Sequence, residues 1–449
     1  MGEKELPEGW ISTSLKNVVV TKKGKKPKIL SDIEFKNSVP YLDIKALEKN
    51  EIRQYADVES SNLLETSDIA ILWDGARSGW VSKGKEGAIG STLAGLKPIL
   101  VNTNYIFYFL KSKFDLLNTN TRGSGIPHVD PAVLWNLEFL LPPLAEQNRI
   151  VGKLDKLFVS IEVVRTKLDT IPQLLKNFRQ AVLSQAVTGK LTEKSRGSDS
   201  ISYVAPISIG EICDLKPEGW GWKKILDLAK LESGHTPRKS LDEYWVKGEV
   251  PWISLQDIRM AHGKMINSTK YMPNELGIKN SSARLLPAGT VCFCRDISVG
   301  YTTIMGRSMA TSQHFANWIC GDLLYNRYLL YAFMAAKDSL IASGTGTTVG
   351  TIYMPALKEM RILLPPFEEQ QEIVSRVEVL FAKADLIEEQ YQVLKGQIDV
   401  LPQSILSKAF RGELVAQNPN DEPASELLER IKETQSLGKK VIRLTQVVA

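Results

Sequence analysis

The stretch Leu141-Pro142-Pro143-Leu144-Ala145-Glu146-Gln147 runs on into Ile150-Val151 and Leu157-Phe158. The chain then writes it again. Leu364-Pro365-Pro366-Phe367-Glu368-Glu369-Gln370 runs on into Ile373-Val374 and Leu380-Phe381, 223 positions later. The same interval separates Leu183-Ser184…Gly189 from Leu406-Ser407…Gly412. A register kept from Leu141 to Gly189 marks an internal duplication, which presents two similar surfaces to a two-part partner.

The duplication reaches back towards the N-terminus. Leu6-Pro7-Glu8-Gly9-Trp10 is echoed by Lys216-Pro217-Glu218-Gly219-Trp220, and Gly24-x-x-Pro27 by Gly234-x-x-Pro237, at an interval of 210. Val39-Pro40-Tyr41-Leu42-Asp43-Ile44 answers Val250-Pro251-Trp252-Ile253-Ser254-Leu255. Ile71-Leu72-Trp73-Asp74-Gly75 is read against Cys292-Phe293-Cys294-Arg295-Asp296. Small loop insertions widen the interval. Within each half, short β-branched and aromatic runs (Ile69–Trp73, Thr290–Cys294, Val349–Met354) alternate with Gly, Pro and Asn punctuation, and Leu323–Ala336 is more helical. Each half therefore reads as an irregular α+β domain of roughly 140 residues.

The segments after the double prolines differ in kind. Ile150, Leu154, Leu157, Ile161, Val164 and Leu168 fall at spacings of 4, 3, 4, 3 and 4. Ile373, Val377, Leu380, Ala384, Ile387, Tyr391, Leu394 and Ile398 do the same. That is the seam of two helices packed side by side. The double proline suits a helix start, and Glu146 and Glu368–Glu369 favour the positive end of the helix dipole. Leu144–Asp169 spans about 40 Å as a helix. The expected pairing sets the two seams against each other, antiparallel, with Pro172 and Pro402 breaking or kinking the helices. Lys190–Leu215 links the halves and Gln417–Ala449 forms a polar tail; joined to residue 1, that tail would take the linker's place.

Composition excludes several classes. With 43% apolar and 24% charged residues among 449, the chain is an ordinary globular one with room for several domains. Runs such as Val133–Leu141 are too short to span a bilayer, and MGEKELPEGW lacks a signal peptide's apolar core, so no membrane partner and a cytoplasmic address are expected. Cys213, Cys292, Cys294 and Cys320 form no C-x-x-C pair and the four histidines are scattered, which favours buried free thiols over a metal site. A net charge of +5 permits nucleic-acid binding through local patches.

Catalytic signatures are missing. The glycine cluster Gly344-Thr345-Gly346-Thr347-Thr348 lacks the lysine of a phosphate loop. Leu364-Pro365-Pro366-Phe367 resembles the Asp/Asn-Pro-Pro-Tyr/Phe of amino-methyltransferases, but a leucine cannot hold an exocyclic amine. What remains is binding equipment. Lys22, Lys23, Lys25 and Lys26 surround a glycine turn, and their counterpart carries Thr236, Arg238 and Lys239, types that contact phosphate. Asp74, Arg77 and Ser78 follow a strand, as do Arg295 and Asp296, and mix donors and acceptors suited to base edges. Small polar loops around Arg122 and Thr345 let backbone amides approach phosphates. His128 and His314 lie beside such loops but alone say little.

With these residues laid out, the chain resembles the specificity subunits of type I restriction–modification systems over essentially its whole length. The resemblance rests on the Pro-Glu-Gly-Trp openings, the LPPLAEQ and LPPFEEQ helix starts, Phe178-Arg179-Gln180-Ala181-Val182-Leu183…Gly189-Lys190-Leu191, and Gln403-Ser404-Ile405-Leu406…Phe410-Arg411-Gly412-Glu413-Leu414. It implies an α+β fold with two pseudo-symmetric target-recognition domains, separated by long helices that form an antiparallel coiled coil. The boundaries expected are recognition domains at 1–141 and 216–364, helical regions at 142–191 and 365–416, a linker at 192–215 and a tail at 417–449. Each domain is expected to read one half of an asymmetric, bipartite double-stranded DNA target. The helices would set the spacing and dock two methyltransferase subunits, with restriction subunits attached. S-adenosylmethionine, ATP and Mg are expected on those partners, so this chain would hold no cofactor and no metal and catalyse nothing itself. Two other classes stay in view: a solitary DNA methyltransferase or nuclease with degenerate motifs, and a coiled-coil scaffold with no DNA role.

Overall fold

The structure is a computed structural model describing residues 6–123, 125–343 and 350–447. The chain forms two compact units, Met1–Leu168 with Val393–Ala449, and Asp169–Gln392. Both are built to one plan.

In the first unit a four-stranded sheet runs in the order Val19–Lys23, Leu93–Pro98, Ile69–Leu72, Val81–Lys83, with every pairing antiparallel. The second unit repeats that order as Ala229–Ser233, Phe315–Cys320, Val291–Cys294, Thr302–Met305, and adds Met265–Ile266 at the edge. A parallel pairing recurs beside each sheet, Tyr41 opposite Ala88 and Trp252 opposite Ala310.

The central strands are apolar throughout because they serve two cores at once. Side chains alternate across a strand. Ile69 and Ile71 join the large core under helix Thr103–Ser112, while Ala70 and Leu72 join a small core on the other face. Val291 and Phe293 join the corresponding large core, and Cys292 and Cys294 the small one. This alternation corrects the register read from sequence. Ala70, not Ile71, is the counterpart of Cys292, so Asp74 is the counterpart of Asp296 and Trp73 of Arg295. The backbone agrees: Trp73 N–H donates to Thr92 O at 2.8 Å, and Arg295 N–H to His314 O at 3.0 Å. Cys292 and Cys294 are buried free thiols as expected, but Cys213 is exposed.

Gly24 and Gly234 sit where the chain crosses the sheet edge. A Cβ on Gly24 would run into the carbonyl of Gly90, and one on Gly234 into Thr311 and the Ser312 carbonyl. The repeated Gly-x-x-Pro therefore marks a close backbone approach. The expected run Val349–Met354 is not a strand where described: Met354 opens helix Met354–Glu359, with a proline in its first turn.

Two long helices, Leu144–Val187 and Phe367–Ala409, start at the double prolines. Both continue through the positions expected to break them, Pro172 and Pro402, so each proline only removes one N–H from the ladder. Each unit holds the first half of one helix and the second half of the other. In the first unit Ile150, Val151, Leu154 and Ile161 share a core with Ile405, Leu406, Ala409 and Phe410, and Arg165 pairs with Asp399 at 3.4 Å. In the second, Arg179 pairs with Asp385 and Glu388, while the later Val182, Leu183, Ala186 and Val187 share a core with the earlier Ile373, Val374 and Val377, so the two helices run antiparallel. The second seam meets the first at its end, where Ile398 packs on the core of Ile150, Leu154 and Ile161, while its earlier positions Ile373 and Val377 lie in the core of the second unit. Each seam packs on its own domain and on the far half of the other helix.

Burial along the helices is thinner than the 4-3 spacing implied. Leu154, Ile161, Leu168, Leu175 and Val182 are buried, seven residues apart, as are Val377, Ala384, Tyr391 and Ile405 with half-buried Ile398 between. Ile150 and Ile373 are buried at the helix starts, and Leu157 and Leu380 are half-buried. Val164, Ile387 and Leu394 are exposed instead.

Candidate nucleic-acid interface

The repeated motifs act first as a clamp. Trp10 Nε1–H donates to Glu146 Oε2 at 3.0 Å, and Trp220 Nε1–H to Glu369 Oε2 at 3.0 Å. Gln147 Oε1 accepts from Asn102 N–H at 2.9 Å while its amide donates to Pro142 O; Gln370 repeats this with Tyr325 N–H at 2.8 Å and Pro365 O. Tyr105 and Tyr328 hydroxyls donate to Leu140 O and Leu363 O. Glu146, Gln147 and Gln370 are buried, so these bonds satisfy groups that water cannot reach. Pro-Glu-Gly-Trp and Leu-Pro-Pro-x-x-Glu-Gln are two halves of one joint, which fixes each long helix to its sheet. Glu146 was expected only as a dipole partner; burial raises its carboxyl above the ordinary range against the pull of Trp10.

That joint leaves the opposite loops free to differ. In the first unit Lys22, Lys23, Lys25 and Lys26 are all exposed along the edge strand and its glycine turn. Lys23 Nζ lies 5.6 Å over the Trp73 ring. Asp74 Oδ1 holds His128 Nδ1 at 2.6 Å, and His128 pairs in register with Arg122. Arg122 Nε pairs with Asp130 at 2.8 Å; burial raises the Asp130 carboxyl, but the Ala132 N–H and Arg122 outweigh it and hold it below the ordinary range. Lys23, Trp73, Asp74, His128 and Arg122 thus form one contiguous surface. Arg77 turns elsewhere, to Glu48 at 3.0 Å and over the Trp80 ring at 5.1 Å, and that hydrogen bond lowers the Glu48 carboxyl. Ser78 is fully buried, so its hydroxyl does not face a ligand.

The second unit assembles a longer polar chain. Thr236 Oγ1–H donates to Gln313 Oε1 at 2.5 Å, and the Gln313 amide nitrogen lies 3.5 Å from His314 Nε2. His314 Nδ1 meets Asp296 Oδ1 at 2.6 Å. Arg295 donates from Nε and Nη2 to Gln313 O at 3.3 and 3.2 Å. Arg238 and Lys239 are exposed, Lys239 Nζ standing 5.9 Å over Trp252. Thr345 lies outside the described residues. Sequence reasoning missed Gln313 and left the two histidines unassigned; their positions beside repeated loops were the available signal, and their aspartate partners were not.

Among the described residues, no group of three or more His, Cys, Asp or Glu could hold a metal ion, and no helix is long and apolar enough to cross a membrane.

Comparison with known proteins agrees with this architecture. A model of the type I restriction modification DNA specificity domain matches residues 7–173 and 217–396, one copy per repeat. The StySPI specificity subunit of Salmonella potsdam is 28% identical over 487 residues, covering 99% of each chain. The EcoBI specificity subunit of Escherichia coli is 31% identical over 366 residues, covering 76% of this chain and 74% of that one. Among solved structures, a chain from a study of complex assembly and conformational transition of the type I R-M system superposes with a TM-score of 0.66, at 20% identity and covering 92% and 100% of the two chains. The HsdS subunit from Thermoanaerobacter tengcongensis gives 0.61 at 19% identity, covering 92% and 99%. Those two share the fold. With the domain model matched twice across most of its length, the chain belongs to the type I restriction–modification DNA specificity family.

Proposed function

We propose that this chain is the non-catalytic, sequence-reading subunit of a type I restriction–modification enzyme. Each unit reads one half of an asymmetric, bipartite DNA target. The long helices hold the halves at a set spacing and dock methyltransferase subunits, which carry S-adenosylmethionine and methylate adenine N6. Restriction subunits bring ATP, Mg and cleavage. The observation that carries this reading is a joint kept twice, Trp10–Glu146 and Trp220–Glu369, beneath loops whose chemistry differs, Lys23–Trp73–Asp74–His128 against Thr236–Gln313–His314–Asp296. A shared scaffold with two different polar surfaces is what reading two unlike half-sites requires.

The test is to express the chain with methyltransferase subunits from a type I system that accept it and sequence the methylated DNA. A bipartite motif with an unread spacer is expected, and the purified chain alone should transfer no methyl group. Turnover by the isolated chain that a substitution within it abolishes would reject the reading.

A further inference from the structure

We propose that His128 and His314 are specificity-determining residues that contact base edges, and that Asp74 and Asp296 are positioning residues that hold them. This rests on the DNA-reading function proposed above.

The two aspartates occupy equivalent places, just beyond the central strand, and each takes a histidine Nδ1 at 2.6 Å. The histidines are not equivalent. His128 lies 54 residues after its aspartate, His314 only 18 after its own. The first-unit counterpart of His314 is Thr92, by the backbone bonds that match Trp73 with Arg295. One Asp–imidazole arrangement is therefore built twice from different parts of the chain, so duplication by itself does not supply it.

The chemistry gives the arrangement a use. A carboxylate at Nδ1 takes that nitrogen's proton in a hydrogen bond, which fixes the tautomer and the ring plane and leaves Nε2 as the group on offer. The pairs are not buried core contacts: the His128 and His314 side chains are 45% and 24% exposed, their aspartates 20% and 18%. Nε2 of His128 has no hydrogen-bond partner among the described residues, and that of His314 has only the distant Gln313 amide. Lys23 stands over Trp73, the neighbour of Asp74, and Arg122 pairs in register with His128, while Arg295 and Thr236 bond to Gln313, the neighbour of His314; these are side-chain types that contact phosphate around a base reader. Oδ1 of Asp74 and of Asp296 is taken by the histidine, and that contact gives each aspartate its supporting role.

The experiment uses the chain assembled with its methyltransferase subunits, selecting from randomised duplexes. His128→Ala should relax base preference at one or two positions of one half-site and weaken cognate binding about 5- to 150-fold. His314→Ala should do the same in the other half-site. His128→Gln and His314→Gln, closer in size and able to hydrogen-bond, should alter preference at those same positions. Asp74→Ala should give a weaker form of the His128→Ala profile, and add nothing to it in the double variant. A wild-type complex that selects no bipartite sequence would sink the functional reading itself. A selective wild type whose histidine variants keep every base preference overturns the present inference alone. So does a uniform loss across all sequences, the mark of a phosphate contact or of loop support.

Discussion

A buried carboxylate survives by its donors, and Glu146 has Trp10 at 3.0 Å, Gln417 at 3.2 Å and the charge of Arg149. Trp10→Phe keeps the ring's apolar contacts and removes the strongest donor. A charge-assisted bond of this kind contributes about 1.5–3 kcal/mol, the loss expected in urea unfolding. The penalty should be larger at pH 7 than at pH 4. A carboxyl whose folded pKa is raised binds its proton more tightly in the native state, so stability falls as pH rises through the interval above the unfolded value, and losing a donor widens that interval. Equal penalties at both pH values would mean the bond is not charge-assisted. His262 gives the opposite slope. Burial and the nearby charge of Lys337 push it down to about 4, and its ring lies 4.8 Å from Tyr301 with Thr302 N–H donating to Nδ1. The unfolded chain takes up that proton near pH 6.5, so stability should fall as pH drops from about 6.5 to about 4. His262→Gln should flatten that part of the profile; an unchanged slope would assign it to other groups.

At the scale of elements, what was legible in sequence was local. The double prolines, the 4-3 spacing and the apolar central strands carry their own physics, so the long helices and the sheets could be read directly. The joint could not, because Trp10 and Glu146 stand 136 residues apart and nothing in either says that they meet. The register of Asp74 slipped by one because the loop Asp296–Gly300 is one residue shorter than Asp74–Gly79, and the gap can be placed on either side of the strand. The two alternating cores decide it, and the backbone bonds of Trp73 and Arg295 agree. The seam was half legible. Its spacing showed a helix pair, but which position of each heptad is buried depends on the antiparallel partner, which offers Tyr391 and Ala384 as well as leucines. The prolines misled because a proline within a long, packed helix costs roughly 3 kcal/mol without having to end it. Pro172→Ala should therefore raise thermal stability and leave helix content by circular dichroism unchanged. A fall in melting temperature would show that the helix is shaped around the proline.

At the scale of the whole molecule, both long helices begin in one unit and end in the other, with buried positions recurring every seventh residue. Seven residues inserted after Leu168 and seven after Gln392 would keep that recurrence in both helices, where an insertion in one alone would not. The paired variant should fold with its units intact. A heptad advances about 10 Å, or about three base pairs of duplex at 3.4 Å each. Three base pairs also turn the duplex by roughly 100°, since one turn takes about 10 base pairs. A heptad returns each helix to within about 20° of its starting face, whereas three base pairs carry DNA much further round. One added heptad per helix should therefore abolish methylation at every spacer length. Three per helix advance about 31 Å, close to nine base pairs and nearly a full turn. That variant should methylate the original half-sites across a spacer about nine or ten base pairs longer, read from the methylome of cells carrying it with its methyltransferase. Methylation by the one-heptad variant at the original spacer would show that the helices do not set the distance. Methylation at a spacer about three base pairs longer would show that they set distance without setting the angle at which the second unit meets the groove.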